Sequence, residues 1–190
     1  MNIRRTRKED LPQIMAIYDY ARRFMQEHGN GNQWINGYPS EELISNEIKA
    51  SHSFVCENEQ GELVGTFCYI EGIDPTYLKI YEGEWLNDEP YAVIHRMASN
   101  GKQKGISTEC LKWAFAHCDN IRIDTHRDNI VMQNLLKISG ITSENGRNDV
   151  KRLNIRVVTM SNDDKPKNRE TQRKADLRRR MVCKSLPVKE

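Results

Sequence analysis

The sequence lacks a long apolar run. None of its 190 residues falls in a stretch approaching the roughly 18–20 apolar residues that a membrane helix needs, so we expect no transmembrane segment. The first ten residues also lack the apolar core of a secretory signal. With 37% apolar and 29% charged residues and a mean hydropathy of −0.77, the chain suits one domain, with or without a tail.

Paired cysteines are also lacking. The five cysteines are odd in number, and no two have the Cys-x-x-Cys spacing. A disulfide framework and a zinc site are therefore not expected, and no metal is predicted. A reducing compartment fits this cysteine usage best, so the predicted location is cytoplasmic.

Aromatic residues are absent from the C-terminal part, since no Phe, Trp or Tyr follows Phe115. From Asn145 onward, 14 Lys and Arg accompany six Asp and Glu, which gives this part a net charge of +8 and residues 1–144 a net charge of −6. Few large apolar groups and dense charge favour a solvated segment. The sequence predicts a folded domain over 1–141 and a basic, partly disordered extension over 142–190.

The hydrophobic pattern predicts alternating strands and helices. Their order is strand, helix, helix, three strands, helix, strand, helix, with an irregular loop over 73–87 and room for one more strand over 150–159. Hairpins come first and a crossover over 91–125 comes last. This order indicates an α/β (α+β) fold with a mixed sheet, helices on both faces and a right-handed parallel crossover.

A loop with two glycines and two lysines separates the fourth strand from the next helix. It runs Asn100-Gly101-Lys102-Gln103-Lys104-Gly105. The first turn of a helix offers unpaired N–H groups and partial positive charge, and a glycine lets backbone approach a ligand closely. The loop can therefore hold a phosphate, although a solvated turn is the plainer interpretation.

Three neighbouring segments resemble the GNAT superfamily of N-acetyltransferases. Lys102-Gln103-Lys104-Gly105-Ile106-Ser107 is similar to its pyrophosphate loop, which usually reads Arg or Gln, two variable residues, Gly, one variable residue, and Gly or Ala. Ile94–Ser99 resembles the family's central strand. Residues 121–129 and 132–136 resemble the next strand and its Asn-started helix. The resemblance covers about residues 1–141 and implies the GNAT fold, a mixed sheet with helices on both faces.

The resemblance further implies acetyl-CoA as co-substrate, bound where the central strand splays from its neighbour. The implied reaction is direct attack by a primary amine of a small molecule or peptide on the thioester, within a ternary complex. A strand N–H near Met97 or Ala98 is the candidate donor to the thioester oxyanion. The expected acetyl-CoA contacts, from strand, loop and following helix, are Met97, Ala98, Ser99, Lys102, Gln103, Lys104, Gly105, Ile106, Ser107 and Asn129.

Candidate catalytic and acceptor residues surround the same cleft. Proton transfer is assigned to His95, Asp124 and His126, although packing and loop anchoring are the plainer roles for such residues. Acidic and aromatic residues in the loops near the cleft suit a cationic amine. The plainer interpretations are that the acidic residues are exposed loop charges and that the aromatic residues fasten their loop to the core. The expected acceptor residues are Trp34, Tyr38, Tyr77, Tyr81 and Glu84.

Two departures from the family pattern leave alternatives open. Many members carry a Tyr, which protonates the leaving thiolate, where this chain has Leu136. The two strands that usually complete the family's sheet are not recognisable after residue 141. A degenerate CoA-binding protein with little turnover is therefore a second hypothesis, and a nucleic-acid-binding module using Arg178–Arg180 is a third, although nucleic acid is an unlikely partner. The sequence leaves a homodimer open.

Overall fold

A computed structural model describes residues 1–77 and 87–138, and the backbone of 152–158. Six strands and four α-helices alternate along these residues, with short 3₁₀ turns at Lys8–Asp10 and Pro75–Tyr77. The strands are β1 (Asn2–Arg5), β2 (Ser53–Glu57), β3 (Leu63–Glu71), β4 (Ala92–Ser99), β5 (Asn120–His126) and β6 (Arg152–Val158). The helices are α1 (Leu11–Glu27), α2 (Glu41–Lys49), α3 (Ile106–His117) and α4 (Ile130–Ile138).

The strands form one sheet in chain order, β1 to β6. Strands β1 to β4 pair antiparallel with their neighbours, whereas β4–β5 and β5–β6 pair parallel. The predicted crossover over 91–125 is confirmed, because α3 joins two adjacent parallel strands. The mixed sheet predicted from the element order is confirmed as well.

Helices cover both faces of the sheet, as predicted. Alternation along β2 sends Phe54 and Cys56 to the face that packs against α3 and α4, and Val55 to the face that packs against α1 and α2. Each face is closed by fully buried apolar side chains, such as Leu111 of α3 and Ile14 of α1. The sheet is therefore the middle layer of three, and its strand ends stay open for a site.

Strands β4 and β5 separate soon after they begin to pair. Their register includes only Ala92 with Ile121 and Val93 with Arg122, although both strands continue for several residues. A groove consequently opens between the C-terminal halves of the two strands. Crevices at the carboxyl ends of parallel strands are where α/β proteins commonly bind ligands.

The sheet continues beyond residue 141, which was the predicted end of the domain. Residues 152–158 form β6 over the full length of β5, from Asn120 opposite Arg152 to His126 opposite Val158. The strand predicted over 150–159 is confirmed, and this part of the basic extension belongs to the sheet. The rest of the extension, Arg178–Arg180 included, lies outside the described residues, so its predicted disorder stays a prediction.

Candidate active site

A β-bulge interrupts β4 where it separates from β5. Thr66 pairs with Ala98 and Cys68 with His95, so Arg96 and Met97 together oppose a single residue of β3. Arg96 has φ of 51°, in the left-handed region that non-glycine residues seldom occupy. The bulge interrupts the ladder between β3 and β4, which resumes at Ala98 and Ser99.

Buried polar contacts hold the bulge in place. The Tyr18 hydroxyl, whose pKa burial raises, donates to the carbonyl oxygen of Arg96 at 3.2 Å. The Arg96 guanidinium donates to Glu47 Oε1 at 3.1 Å and to Tyr38 Oη at 3.2 Å. Glu47 also bonds His52 at 3.1 Å, and these partners lower the pKa of Glu47 although burial alone would raise it. Helices α1 and α2 thus fix the conformation of the central strand.

A cavity of about 580 Å³ occupies the groove between β4 and β5. Its walls come from α1, the α1–α2 loop, the end of β4, the β4–α3 loop, β5 and the start of α4. Of the predicted acetyl-CoA contacts, all but Lys102 line it: Met97, Ala98, Ser99, Gln103, Lys104, Gly105, Ile106, Ser107 and Asn129. The structure therefore brings nine of the ten predicted residues into one cavity.

The β4–α3 loop ends in a helix N-terminus that no side chain caps. Gly105 is the N-cap of α3, with φ of 82°, and it makes no side-chain capping bond. The N–H groups of the first turn are therefore left for an external acceptor. Lys104 lines the cavity beside them, whereas Lys102 is exposed and its N–H is bound by Asn100 Oδ1 at 3.0 Å. An uncapped, Cβ-free turn of this kind fits a diphosphate.

A chain of buried polar groups lies at the base of the cavity. Tyr77 donates its hydroxyl to Asp124 Oδ1 at 2.7 Å, and its ring stacks on His95 at 5.2 Å between centroids. His95 Nε2 lies 3.1 Å from Asp74 Oδ2, and Thr76 donates twice to the other oxygen of Asp74. Burial would raise the pKa of Asp74, but His95 and Thr76 hold it well below its ordinary value. Asp124 and His95, two of the three predicted proton-transfer residues, line the cavity.

The third predicted proton-transfer residue, His126, is placed differently. Its ring is buried, and Nδ1 lies 3.1 Å from the backbone N of Asp128 and 3.4 Å from Oδ2 of the same residue. The described lining of the cavity does not include His126. In this structure His126 anchors the β5–α4 loop.

The predicted acceptor residues divide into three groups. Trp34 lines the cavity and packs edge-on against Tyr18, with centroids 5.6 Å apart. Tyr38 binds Arg96, and Tyr77 binds Asp124, so both support residues of the wall. Tyr81 and Glu84 lie outside the described residues.

Several residues of the site were missed from the sequence. Asp74 lies in a segment that shows no periodicity, and it meets His95 only through the fold. Gln33 lines the cavity and accepts hydrogen bonds from Asn30 at 2.8 Å and Asn129 at 3.0 Å. The cluster of Asn30, Asn32 and Gln33 in the sequence was the available signal. Within the described ranges no group of three or more His, Cys, Asp or Glu side chains could hold a metal.

The chain was compared with family models, curated proteins and solved structures. No family model matches, and no curated protein matches. An acetyltransferase of the GNAT family from Streptococcus agalactiae superposes with a TM-score of 0.66 at 29% identity, over 73% of this chain and 83% of that one. One from Listeria monocytogenes gives a TM-score of 0.55 at 18% identity, over 78% and 90% of the chains. This chain has the GNAT fold. The resemblance seen in the sequence is thereby confirmed.

A third similar structure adds a bound compound to the comparison. The enzyme AAC(6')-Iy, in complex with the bisubstrate analogue CoA-S-monomethyl-acetylneamine, gives a TM-score of 0.50 at 14% identity, over 77% and 93% of the chains. At this identity the likeness concerns the GNAT fold alone. Among the residues described, no helix has both the length and the apolar character to span a membrane.

Proposed function

We propose that this protein is an acetyl-CoA-dependent N-acetyltransferase that acts on a primary amine of a small molecule or peptide. One observation supports this most strongly. The separation of β4 from β5, the bulge at Arg96 and Met97, and the uncapped start of α3 all border one cavity of about 580 Å³. Such a cavity suits a long co-substrate with a diphosphate at one end.

The residues that would hold acetyl-CoA follow from this geometry. The first-turn N–H groups of α3, after Gly105, would bind the diphosphate, with Lys104 adding positive charge. The end of β4 over Met97–Ser99, whose ladder with β5 has ended, would bind the amides of the pantetheine arm. Bound acetyl-CoA supplies an activated acyl group on a good leaving group.

Asp124 is the proposed proton acceptor for the amine. It is the acidic residue of the cavity lining among the described residues, and the Tyr77 hydroxyl and its own strand fix its position. In the transfer the C–N bond forms, the C–S bond breaks, and the amine proton leaves to the carboxylate. A backbone N–H at Met97 or Ala98 is the proposed donor to the thioester oxygen.

One observation favours a second candidate function, a degenerate CoA-binding protein with little turnover. Leu136 has no exposed surface and packs in the core beneath α3, so α4 offers no hydroxyl at that position to the leaving thiolate. A thiolate leaves without help near neutral pH, because the pKa of a thiol is far below that of an alcohol. The two candidates therefore differ in rate and not in acetyl-CoA binding.

Release of free thiol from acetyl-CoA, measured over a panel of primary amines, tests the proposal. We expect amine-dependent thiol release together with acetylated product in mass spectra. Acetyl-CoA binding with no turnover over the whole panel would favour the degenerate CoA-binding protein. Thiol release without any acetylated amine would mean hydrolysis of the thioester and would contradict amine acetylation.

None of the four described cysteines, Cys56, Cys68, Cys110 and Cys118, forms a disulfide. Free thiols are usual in a reducing compartment, which supports a cytoplasmic location as part of the same proposal.

A further inference from the structure

A network of side-chain amides joins the α1–α2 loop to the β5–α4 loop at the cavity wall. Asn30 and Asn129 both donate their Nδ2 groups to Gln33 Oε1, at 2.8 Å and 3.0 Å. A second bond between the same loops runs from Asn32 Nδ2 to Asp128 Oδ2, at 3.3 Å. Gln33 and Asn129 line the cavity, whereas Asn32 is exposed.

The start of α4 determines which way these amides face. Asn129 Oδ1 accepts the backbone N–H of Met132 at 3.0 Å, as an N-cap does. A backbone N–H can only donate, so the atom that meets it must be the oxygen, and Nδ2 must face Gln33. The Gln33 atom that accepts from Nδ2 must in turn be Oε1. The helix cap thus fixes the orientation of the Gln33 amide through Asn129.

Asn30 supports the same orientation from the other loop. It is 3% exposed, and its backbone N–H binds the Met25 carbonyl at 2.8 Å. Its Oδ1 is buried with no hydrogen-bond partner among the described residues, so the bond from Nδ2 to Gln33 is the one its amide makes there. Oε1 accepts from two donors, and within the described part of the chain Nε2 makes no hydrogen bond, so its two hydrogens can meet another acceptor.

We infer that Gln33 is a preoriented hydrogen-bond donor of the cavity, which binds an sp² oxygen, a carbonyl or carboxylate, of the bound substrates. This rests on the proposed function only in taking the cavity as the substrate site. The oxygen has two sources, the amides of the pantetheine arm and a carbonyl of the acceptor amine. Gln33 is a binding and specificity residue and takes no part in proton transfer.

Gln33→Glu separates this role from loop anchoring. The carboxylate can still accept both bonds from Asn30 and Asn129, so the bridge between the loops is kept, but the donor is replaced by an acceptor. Asn129→Asp tests the relay, because an oxygen facing Gln33 would draw Nε2 away from the cavity while the cap of α4 is kept. Asn32→Ala is the matched control, since it removes the other bond between the same loops outside the cavity lining.

The measurements are calorimetric affinity for coenzyme A and kcat/KM for phenylalanine amide against phenethylamine, which differ by a carboxamide. If the pantetheine arm is the partner, Gln33→Glu and Asn129→Asp weaken coenzyme A binding about tenfold or more, and Asn32→Ala does not. If the acceptor is the partner, coenzyme A binding is unchanged, and the preference for phenylalanine amide over phenethylamine falls by a similar factor.

Two results would overturn the inference. Gln33→Glu with unchanged coenzyme A affinity and unchanged amine preference would show that Gln33 only anchors the loop. An equal loss with Asn32→Ala would show the same, because that variant spares the donor. Failure of the wild type to bind coenzyme A at all would instead overturn the proposed function, and this inference with it.

Discussion

At the scale of the residue, buried polar pairs decide what the cavity can do. Asp124 receives a hydrogen bond from Tyr77, and His95 meets Asp74 beneath it. These pairs join residues 47 and 21 positions apart in the chain. Asp124 and His95 were predictable as candidates because they lie on the two strands that border the expected cleft. Their partners were not, because pairing over such separations depends on the fold and leaves no local pattern.

Replacing Asp124 with Asn tests its proposed role as proton acceptor. The amide oxygen can still accept from Tyr77, so the local structure is kept while the basic group is lost. We expect kcat for the best amine to fall by roughly 10²–10⁴, with acetyl-CoA affinity nearly unchanged. Initial rates and calorimetry on the same preparation check this. A kcat equal to that of the wild type would remove Asp124 from the chemistry.

Asp10 gives a prediction for stability against pH. Its carboxylate takes two hydrogen bonds from Arg4, at 2.8 Å and 3.1 Å, and one from the Arg7 N–H at 2.7 Å. The hydrogen bonds from Arg4 lower the pKa of Asp10 below its ordinary 3.8. A lowered folded-state pKa stabilises the fold above the unfolded-state pKa, and this stabilisation is lost as pH falls through the folded-state pKa.

Asp10→Asn should therefore lower the free energy of unfolding by about 1–3 kcal/mol at pH 7. The difference in unfolding free energy between wild type and variant should narrow as the pH falls from 3.8 toward the lowered pKa of the folded wild type, at which its carboxylate becomes protonated. Urea unfolding at pH 7 and at low pH measures both. A difference in unfolding free energy that stayed constant, or widened in acid, would contradict the stabilising role of the Arg4–Asp10 pair.

At the scale of the element, the order of strands and helices followed from hydrophobic periodicity. The predicted crossover over 91–125 corresponds to β4, α3 and β5, which together span Ala92 to His126. The bulge in β4 could not be predicted. Arg96 adopts a positive φ because Tyr18, Glu47 and Tyr38 hold it there, and arginine carries no local signal for that conformation.

The contact between β3 and the start of α3 gives a prediction at this scale. A Cβ on Gly65 would lie 2.4 Å from Ile106 Cγ2 and 3.2 Å from the carbonyl oxygen of Ala98. Gly65→Ala should therefore push the first turn of α3 away, and it should cost about 1–3 kcal/mol of stability. Coenzyme A affinity should fall with it, because the same turn borders the cavity.

Ile106→Ala provides the test of that cause. If the clash is with Ile106, the double variant should lose less unfolding free energy than the two single variants lose together. The difference, the coupling energy, should be about 0.5–3 kcal/mol. Urea unfolding of the four proteins gives the cycle. Strictly additive losses would place the strain elsewhere.

At the scale of the whole molecule, the sheet, its two layers of helices and the GNAT fold were all predictable from residues 1–141. A strand was predicted over 150–159, but its place in the sheet was not, because the part of the chain after residue 141 lacks aromatic residues and regular alternation. The parallel pairing of β6 with β5 shows that a basic segment without aromatic residues can still form a strand along the outer edge of a neighbouring strand. The main part of the site depends on the earlier strands, where the sequence pattern was clearest.

The central claim is that the turn before α3 binds the diphosphate of coenzyme A. Gly105 has φ of 82°, and a Cβ there would meet no atom within 4 Å, so a larger side chain would enter space left for a ligand. Gly61, in the β2–β3 hairpin, has φ of 77° with equally open surroundings. Valine at either position would be strained by the positive φ, at a cost on the order of 1–3 kcal/mol, so the unfolding free energy should fall by a similar amount in both variants.

Calorimetry of acetyl-CoA binding to the wild type, Gly105→Val and Gly61→Val is the most direct test. We expect the wild type and Gly61→Val to bind alike, and Gly105→Val to lose about 100-fold or more in affinity, since the backbone N–H groups could no longer reach the diphosphate. Equal affinity in all three proteins, or no binding by the wild type, would contradict the claim.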